Sequence, residues 1–113
     1  MGSILDSMKQ MLGIAPDDTN FDSELILHIN SAIAVLTQLG IGPNEGFRIT
    51  GPLEEWDSLI ETRQDIDGVK SVVYYRVRLA FDPPQNSFLV DSIKKQCDEL
   101  EWRLEVSTST PPL

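Results

Sequence analysis

The sequence predicts an all-α protein, a small bundle of about four to five helices with a long glycine-rich loop and a flexible C-terminal tail. Apolar residues recur at helical spacing in several segments. A Pro-Pro pair at 83–84 separates the last two of these segments, and proline interrupts helices. The length of 113 residues suits one domain, which we predict to span 1–105, with the tail at 106–113.

The first two helices are predicted at 3–12 and 21–39. Ser3 is a suitable N-cap for the first helix, and Gly13 is a suitable residue to end it. Thr19 or Asn20 is expected to cap the second helix, which Gly40 should end. The apolar stripe of the second helix consists of Leu25, Ile29, Ala32, Leu36 and Leu39. This stripe predicts that the second helix is the central element of the core.

Residues 40–51 are predicted to form a long loop, because they contain four glycines and one proline and show no apolar period. Long loops in compact domains tend to be functional. A short third helix is predicted at 53–60, directly after Pro52. Its buried side should be formed by Trp56, Leu59 and Ile60.

The fourth helix is predicted at about 68–81, with Asp67 as its N-cap. Its valine-rich sequence also suits a strand, but its length and its apolar period favour a helix. Asp82-Pro83-Pro84 should end it, since proline lacks the N–H that a helix needs. Asn86 or Ser87 is expected to cap the fifth helix. The apolar stripe of the fifth helix consists of Leu89, Ile93, Cys97, Leu100 and Leu104.

The charge and composition exclude several classes of protein. The formal net charge is −9, and such a surface repels phosphate backbones, which argues against a nucleic-acid reader. Cys97 is the only cysteine, so an intrachain disulfide is impossible. No apolar run approaches the roughly 18 residues that a membrane span needs, and we predict no contact with a membrane.

No group of residues has the pattern of a catalytic or metal site. His28 is the only histidine, and it lacks nearby ligating partners in the sequence. Cys97 lies on an apolar stripe, where a cysteine behaves as a small hydrophobic residue. The acidic residues Glu54, Glu55 and Asp57 are expected to face water rather than a pocket. We therefore predict no catalytic residue, no cofactor and no metal.

The fourth helix carries basic and aromatic residues side by side. Lys70, Arg76 and Arg78 lie close in sequence to Tyr74 and Tyr75. Bases stack on tyrosines in some nucleic-acid-binding proteins, but the negative net charge favours a different role. We expect the arginines to pair with acids of a neighbouring element or of a neighbouring subunit. The two tryptophans, at 56 and 102, are interpreted as core or interface anchors.

Residues 3–105 resemble the head–tail connector (adaptor) proteins of tailed bacteriophages. The matching segments are the MLGI sequence at 11–14 with its Pro-Asp-Asp turn, the long helix at 21–40, and the short helix at 54–60. The most specific segment is 74–104, where AFDPP joins two helices.

The resemblance implies a structural protein of the virion neck at the portal vertex, with no enzymatic activity. Such adaptors form a ring under the portal, usually with the twelve-fold symmetry of the portal. The ring extends the DNA channel and docks the stopper or the tail. The partners implied are the portal protein, a stopper or tail-completion protein and further copies of the chain in a dodecamer. Genomic DNA would pass through without specific binding, and assembly would take place in the host cytoplasm.

The resemblance also suggests where the contacts lie, in three groups of residues. The subunit interface is expected at Tyr74, Tyr75, Arg76, Arg78 and Trp102. The portal-binding tail is expected to consist of Val106, Ser107, Thr108, Ser109, Thr110, Pro111, Pro112 and Leu113. The residues facing the lumen or the stopper are expected to be Glu45, Phe47, Arg48, Glu54, Glu55 and Asp57.

Two other functions compete with this interpretation. A small helical regulatory or scaffold protein would bind a partner helix through an apolar groove, as a monomer or dimer rather than a ring. An enzyme would use Glu54, Glu55 and Asp57 with a metal. The mass of the protein in solution, with and without portal protein, distinguishes the ring from the groove-binding protein.

Overall fold

The computed structural model describes residues 2–61 and 66–109. Within those ranges the helices are α1 (Ile4–Leu12), α2 (Asp22–Gln38), α3 (Trp56–Ile60), α4 (Ile66–Phe81) and α5 (Ser87–Ser109). The same ranges contain no β-strand, and their one β-bridge joins Ser3 to Glu55. The all-α fold predicted from the sequence is therefore confirmed.

Helix α4, and not α2 as predicted, lies at the centre of the bundle. It packs against α2 and against α5, whereas α2 and α5 barely touch each other. Helix α1 contacts both α2 and α4, and α3 packs on α4. The four valines at 69, 72, 73 and 77 are fully buried. Burial on several sides thus outweighs the strand propensity of these β-branched residues, which is a weak and context-dependent preference.

The short helix α3 is joined to the N-terminus of the chain. Trp56 is completely buried, and its indole Nε1 donates a hydrogen bond to Ser7 Oγ at 3.1 Å. The backbone N of Ile4 donates to the carbonyl of Glu54 at 3.0 Å, and the backbone N of Trp56 donates to the carbonyl of Gly2 at 3.3 Å. These bonds hold the start of α1 beside the start of α3.

The local sequence signals at three helix ends act as predicted. Ser3 Oγ accepts a hydrogen bond from the backbone N of Asp6 and caps α1. Gly13 follows α1 with a φ of 77°, a left-handed conformation that glycine adopts without steric cost. Asn86 Oδ1 accepts a hydrogen bond from the backbone N of Phe88 at 2.8 Å and caps α5.

Helix α2 begins within one residue of its predicted start, but its predicted N-cap is wrong. Neither Thr19 nor Asn20 caps this helix, because its N-cap residue is Phe21, which makes no side-chain capping bond. The backbone N of Asn20 donates instead to Asp18 Oδ1 at 3.0 Å, so Asp18 organises the turn. The ring of Phe21 packs edge-on against Phe81, with 5.4 Å between centroids. This tertiary contact fixes the entry of the chain into α2.

Three further boundaries differ from the prediction. Helix α3 begins at Trp56 rather than at 53, because the preceding residues are extended and bonded to the N-terminal segment. Asp67 lies inside the first turn of α4 rather than at its N-cap. Helix α5 continues past 105 to Ser109, through residues that include no glycine or proline. Residues 110–113 of the predicted tail lie outside the described residues.

The connection between α2 and α3 is packed onto the core. Ile41 and Ile49 are both fully buried within it. Gly42 has a φ of 97°, and a Cβ added there would lie 3.1 Å from Leu59 Cδ1. Glycine at this position therefore serves both the backbone conformation and the close approach to α3.

Candidate interaction surfaces

Four of the predicted subunit-interface residues lie together on α4, where the ring centroids of Tyr74 and Tyr75 are 5.6 Å apart, and Trp102 lies on α5. Tyr75 and Arg76 point from α4 toward α5, where the hydroxyl of Tyr75 donates to Gln96 Oε1 at 2.9 Å. Tyr74 and Arg78 lie near α1, and Arg78 Nη1 donates to the hydroxyl of Tyr74 at 3.0 Å. Trp102 lies apart from all four, and its side chain is 63% exposed.

A polar network joins α4 to α5. Arg76 makes a bidentate ion pair with Glu101, in which Nη2 lies 2.9 Å from Oε1 and Nε contacts Oε2. The thiol of Cys97 donates a hydrogen bond to the same Oε2 at 3.2 Å. Arg76 thus pairs with an acid of a neighbouring element, one of the two arrangements predicted. The network links the two helices through side chains that are mostly shielded from water.

The network sets the ionisation of its members. Burial alone would raise the pKa of Glu101, but the hydrogen bonds from Arg76 and Cys97 and the charge of Arg76 outweigh it and lower that pKa. Burial, with the hydrogen bond to the Glu101 carboxylate, raises the pKa of the Cys97 thiol to about 12. Cys97 is therefore a neutral thiol at physiological pH, and a neutral thiol is a poor nucleophile.

We expect the Cys97 thiol to make the protein lose stability in alkali. The unfolded thiol ionises near pH 9 and the folded thiol near pH 12, so its contribution is complete below pH 9 and is lost as the pH rises from 9 to 12. The free energy of unfolding is measured with denaturant at about pH 8 and at about pH 10.5. Its decrease between the two pH values should be larger for the natural chain than for Cys97→Ala. The variant is the control for the rest of the chain, which is the same in both proteins. Equal losses would contradict the assigned ionisation.

The acidic residues around α3 do not surround a pocket. Glu55 and Asp57 are exposed, and Glu54 is half-buried. Glu54 Oε2 accepts hydrogen bonds from the hydroxyl and the backbone N of Thr50, at 2.8 and 3.0 Å, and the hydroxyl bond is the main cause of its lowered pKa. Trp56, with Leu59 and Ile60, occupies the buried side of α3 as predicted. Within the described residues, no group of three or more His, Cys, Asp or Glu side chains is placed to hold a metal.

Asn30 holds the glycine-rich connection against α2. Its Nδ2 donates to the carbonyl of Ile49 at 3.0 Å, and its Oδ1 accepts from the backbone N of Ile49 at 2.7 Å. Both backbone groups of a buried residue are thereby satisfied by one amide side chain. The clamp places Phe47 and Arg48 beside the outer face of α2.

The outer face of α2 and this segment enclose a shallow groove of about 500 Å³, which we call the α2 groove. The residues that define it are Ser23, Ile26, Leu27, Asn30, Ser31, Ala34, Phe47 and Arg48. Leu27 is 63% exposed, which is unusual for a leucine next to other apolar side chains. The sequence pattern contains one signal of this surface, because Leu27 falls outside the apolar stripe of α2, but no groove was predicted from it.

The outer face of α5 is a second exposed surface with apolar side chains. Phe88 is 77% exposed, Trp102 is 63% exposed and Val106 is 40% exposed. Helical geometry places these three residues on one line along α5, together with Lys95 and Glu99. We call this line the α5 outer face. It is opposite the side of α5 that is buried against α4.

The lone histidine has an ordinary environment. His28 is half-buried on α2, with its Nε2 3.8 Å from Glu24 Oε1 and its ring 6.5 Å from that of Phe81.

Across the described parts of the chain, no helix is long and apolar enough to cross a membrane. What remains as candidate sites are the two exposed apolar surfaces.

Comparison with known proteins agrees with the resemblance seen in the sequence. The family model described as phage connector protein matches residues 4–111, which is nearly the whole chain. No curated protein and no solved structure matches. The match confirms the predicted family and, with it, a structural role in the virion alongside other head and tail proteins. The chain belongs to the phage connector protein family.

Proposed function

We propose that this connector is the adaptor that forms a ring under the portal, extends the DNA channel and docks the stopper or the tail. The observation that carries the proposal is the family match over residues 4–111. The two exposed apolar surfaces on α2 and α5 support it, because an isolated subunit rarely exposes tryptophan and phenylalanine without a partner. A ring that follows the twelve-fold symmetry of the portal would place these surfaces between copies.

The net charge suits a wall along which DNA moves. A negative surface repels the duplex, whereas clustered Lys and Arg would bind it through counterion release. We propose that the acidic and loop residues predicted above face the lumen or the stopper. Those residues are Glu45, Glu54, Glu55 and Asp57. Phe47 and Arg48, which were predicted with them, line the α2 groove and belong to the contact between copies instead. Asn30 bonds both backbone groups of Ile49 and so holds the glycine-rich connection against α2. We therefore expect this connection to present one fixed surface to the next ring.

The test is to mix the chain with portal rings from the same phage and to view them by negative-stain electron microscopy. We expect an added ring beneath each portal ring. A chain ending at residue 105 should lose portal binding, because we propose that the tail at 106–113 contacts the portal, and its melting temperature should stay within a few degrees of the full chain. Portals that stay undecorated by the full chain would contradict the ring. Full binding by the shortened chain would contradict the role of the tail.

A regulatory or scaffold protein that binds one partner helix is the second candidate. The observation that favours it is the α2 groove, whose apolar lining and exposed Leu27 suit the apolar face of a helix. This candidate predicts one partner helix for each chain and no ring. The mass of the complex with portal protein, measured by light scattering, separates the two functions.

A further inference from the structure

We infer that neighbouring copies in the ring meet head to tail, with the α5 outer face of one copy seated in the α2 groove of the next. The inference rests on the proposed ring and names the two surfaces that form it. The occupant of the α2 groove is thus a second copy of this chain. Three properties of the described residues support the assignment: placement, shape and charge.

The placement of the two surfaces suits a repeating contact. Helices α2 and α5 pack on α4 but barely touch each other, so their outer faces look away from each other. A chain cannot insert its own α5 outer face into its own α2 groove. In any short oligomer built from this contact, the copy at one end has an unoccupied α2 groove and the copy at the other end has an unoccupied α5 outer face. Such a heterologous contact adds copies until a ring closes, provided that the rotation between copies matches the symmetry of the ring.

The shapes of the two surfaces also suit each other. Trp102 projects from α5 and is 63% exposed, and tryptophan is enriched among the residues that anchor interfaces. The α2 groove, at about 500 Å³, has room for an indole between Leu27, Ala34 and Phe47. Burying the exposed parts of Leu27 and Trp102 together removes from water two of the most exposed large apolar side chains of the described chain.

The charges along the two helices are complementary when the helices run parallel. Arg48 lies at the α2 groove and makes no ion pair within the described residues. Glu99, whose carboxylate also pairs with Arg103 of the same helix, lies one turn before Trp102. Toward the N-terminal ends of the two helices the signs of the charges are exchanged, so that the positive charge is on α5 and the negative charge is on α2. Lys95 lies seven residues before Trp102, and Glu24 lies seven residues before Ser31 of the groove. Placing Trp102 beside Ser31 therefore places Lys95 beside Glu24.

Cross-linking with a short bismaleimide tests the contact in a Cys97→Ala background. We expect a mixture of Leu27→Cys and Trp102→Cys chains, assembled on portal rings, to give about tenfold more covalent dimer than either variant alone. A chain carrying both cysteines should give a ladder of covalent oligomers. Leu53→Cys is the matched control, because Leu53 is 88% exposed but belongs to neither surface. It should give only background dimer with either partner.

The outcomes separate this inference from the proposed function. A ring visible on the portal, with no cross-link above the Leu53→Cys control, would overturn the inference and leave the adaptor function standing. Strong dimer from Leu27→Cys alone or from Trp102→Cys alone would also overturn it, since that result indicates a contact between like surfaces. Absence of a ring from the natural chain, together with no cross-link between the variants, would overturn the inference and the proposed function together.

A charge exchange tests the parallel register. Lys95→Glu should reduce the yield of cross-linked dimer about fivefold, because it places two like charges side by side. Adding Glu24→Lys in the same chain should restore the yield, since each contact then pairs the reversed residues. If the second substitution lowers the yield further, the register is wrong.

Discussion

Replacing Trp56 with alanine should lower the free energy of unfolding by about 3–5 kcal/mol. The side chain is fully buried, and its removal leaves a cavity between α1, α3 and α4. It also leaves the Ser7 hydroxyl without its indole donor and Lys70 Nζ without the ring 5.5 Å away. Domains of this size have a total stability of about 5–15 kcal/mol, so the variant should be partly unfolded. Urea unfolding followed by circular dichroism measures the effect.

The matched control is the other tryptophan. Trp102→Ala removes the same side chain from an exposed position, and we expect its free energy of unfolding to stay within about 0.5 kcal/mol of the natural chain. The measurement is made without portal protein and at low protein concentration, so that assembly does not contribute. A similar loss in both variants would contradict the different environments of the two tryptophans.

Replacing Asp22 with alanine should lower the free energy of unfolding by about 3–5 kcal/mol. Lys9 is almost completely buried, with 3% of its side chain exposed, and its ammonium lies 3.0 Å from Asp22 Oδ1. It also donates to the carbonyl of Pro16 at 3.2 Å, which fastens the loop after α1. Without Asp22 the ammonium is a buried charge with no counter-ion, which is the costly case. Thermal or urea unfolding of the variant gives the magnitude.

Two comparisons make this prediction specific. Adding Lys9→Met to Asp22→Ala removes the buried charge and should recover most of the loss. Glu99→Ala breaks the exposed ion pair with Arg103, whose partners lie 2.7 Å apart, and should change the stability by less than about 1 kcal/mol. If the double variant is no more stable than Asp22→Ala, the loss does not come from the unpaired ammonium.

The sequence by itself determined the features that depend on neighbours along the chain. The apolar period of each helix, the caps at Ser3 and Asn86, the stop at Gly13 and the break after α4 are local, because each rests on spacing or on bonds within one turn. The same local patterns carried the resemblance to phage connectors, which the family match confirms. Interactions between residues close together along the chain were therefore enough to predict which segments are helices and to which family the chain belongs.

Only the tertiary structure decided which side chains of similar type are buried. The sequence predicted the burial of Trp56, but Trp102 was interpreted only as a core or interface anchor, and the structure leaves Trp102 63% exposed. Lys9 lies on α1 and gave no signal of burial, because its counter-ion Asp22 belongs to a different helix.

The start of α2 and the α2 groove were also decided by tertiary contacts. Phe81 meets Phe21 at the start of α2, and Asn30 brings the 47–49 segment against the outer face of that helix. The physical reason is common to all these cases. Burial and pairing free energies depend on residues that are distant along the chain, and the spacing within one helix does not record which residues those are.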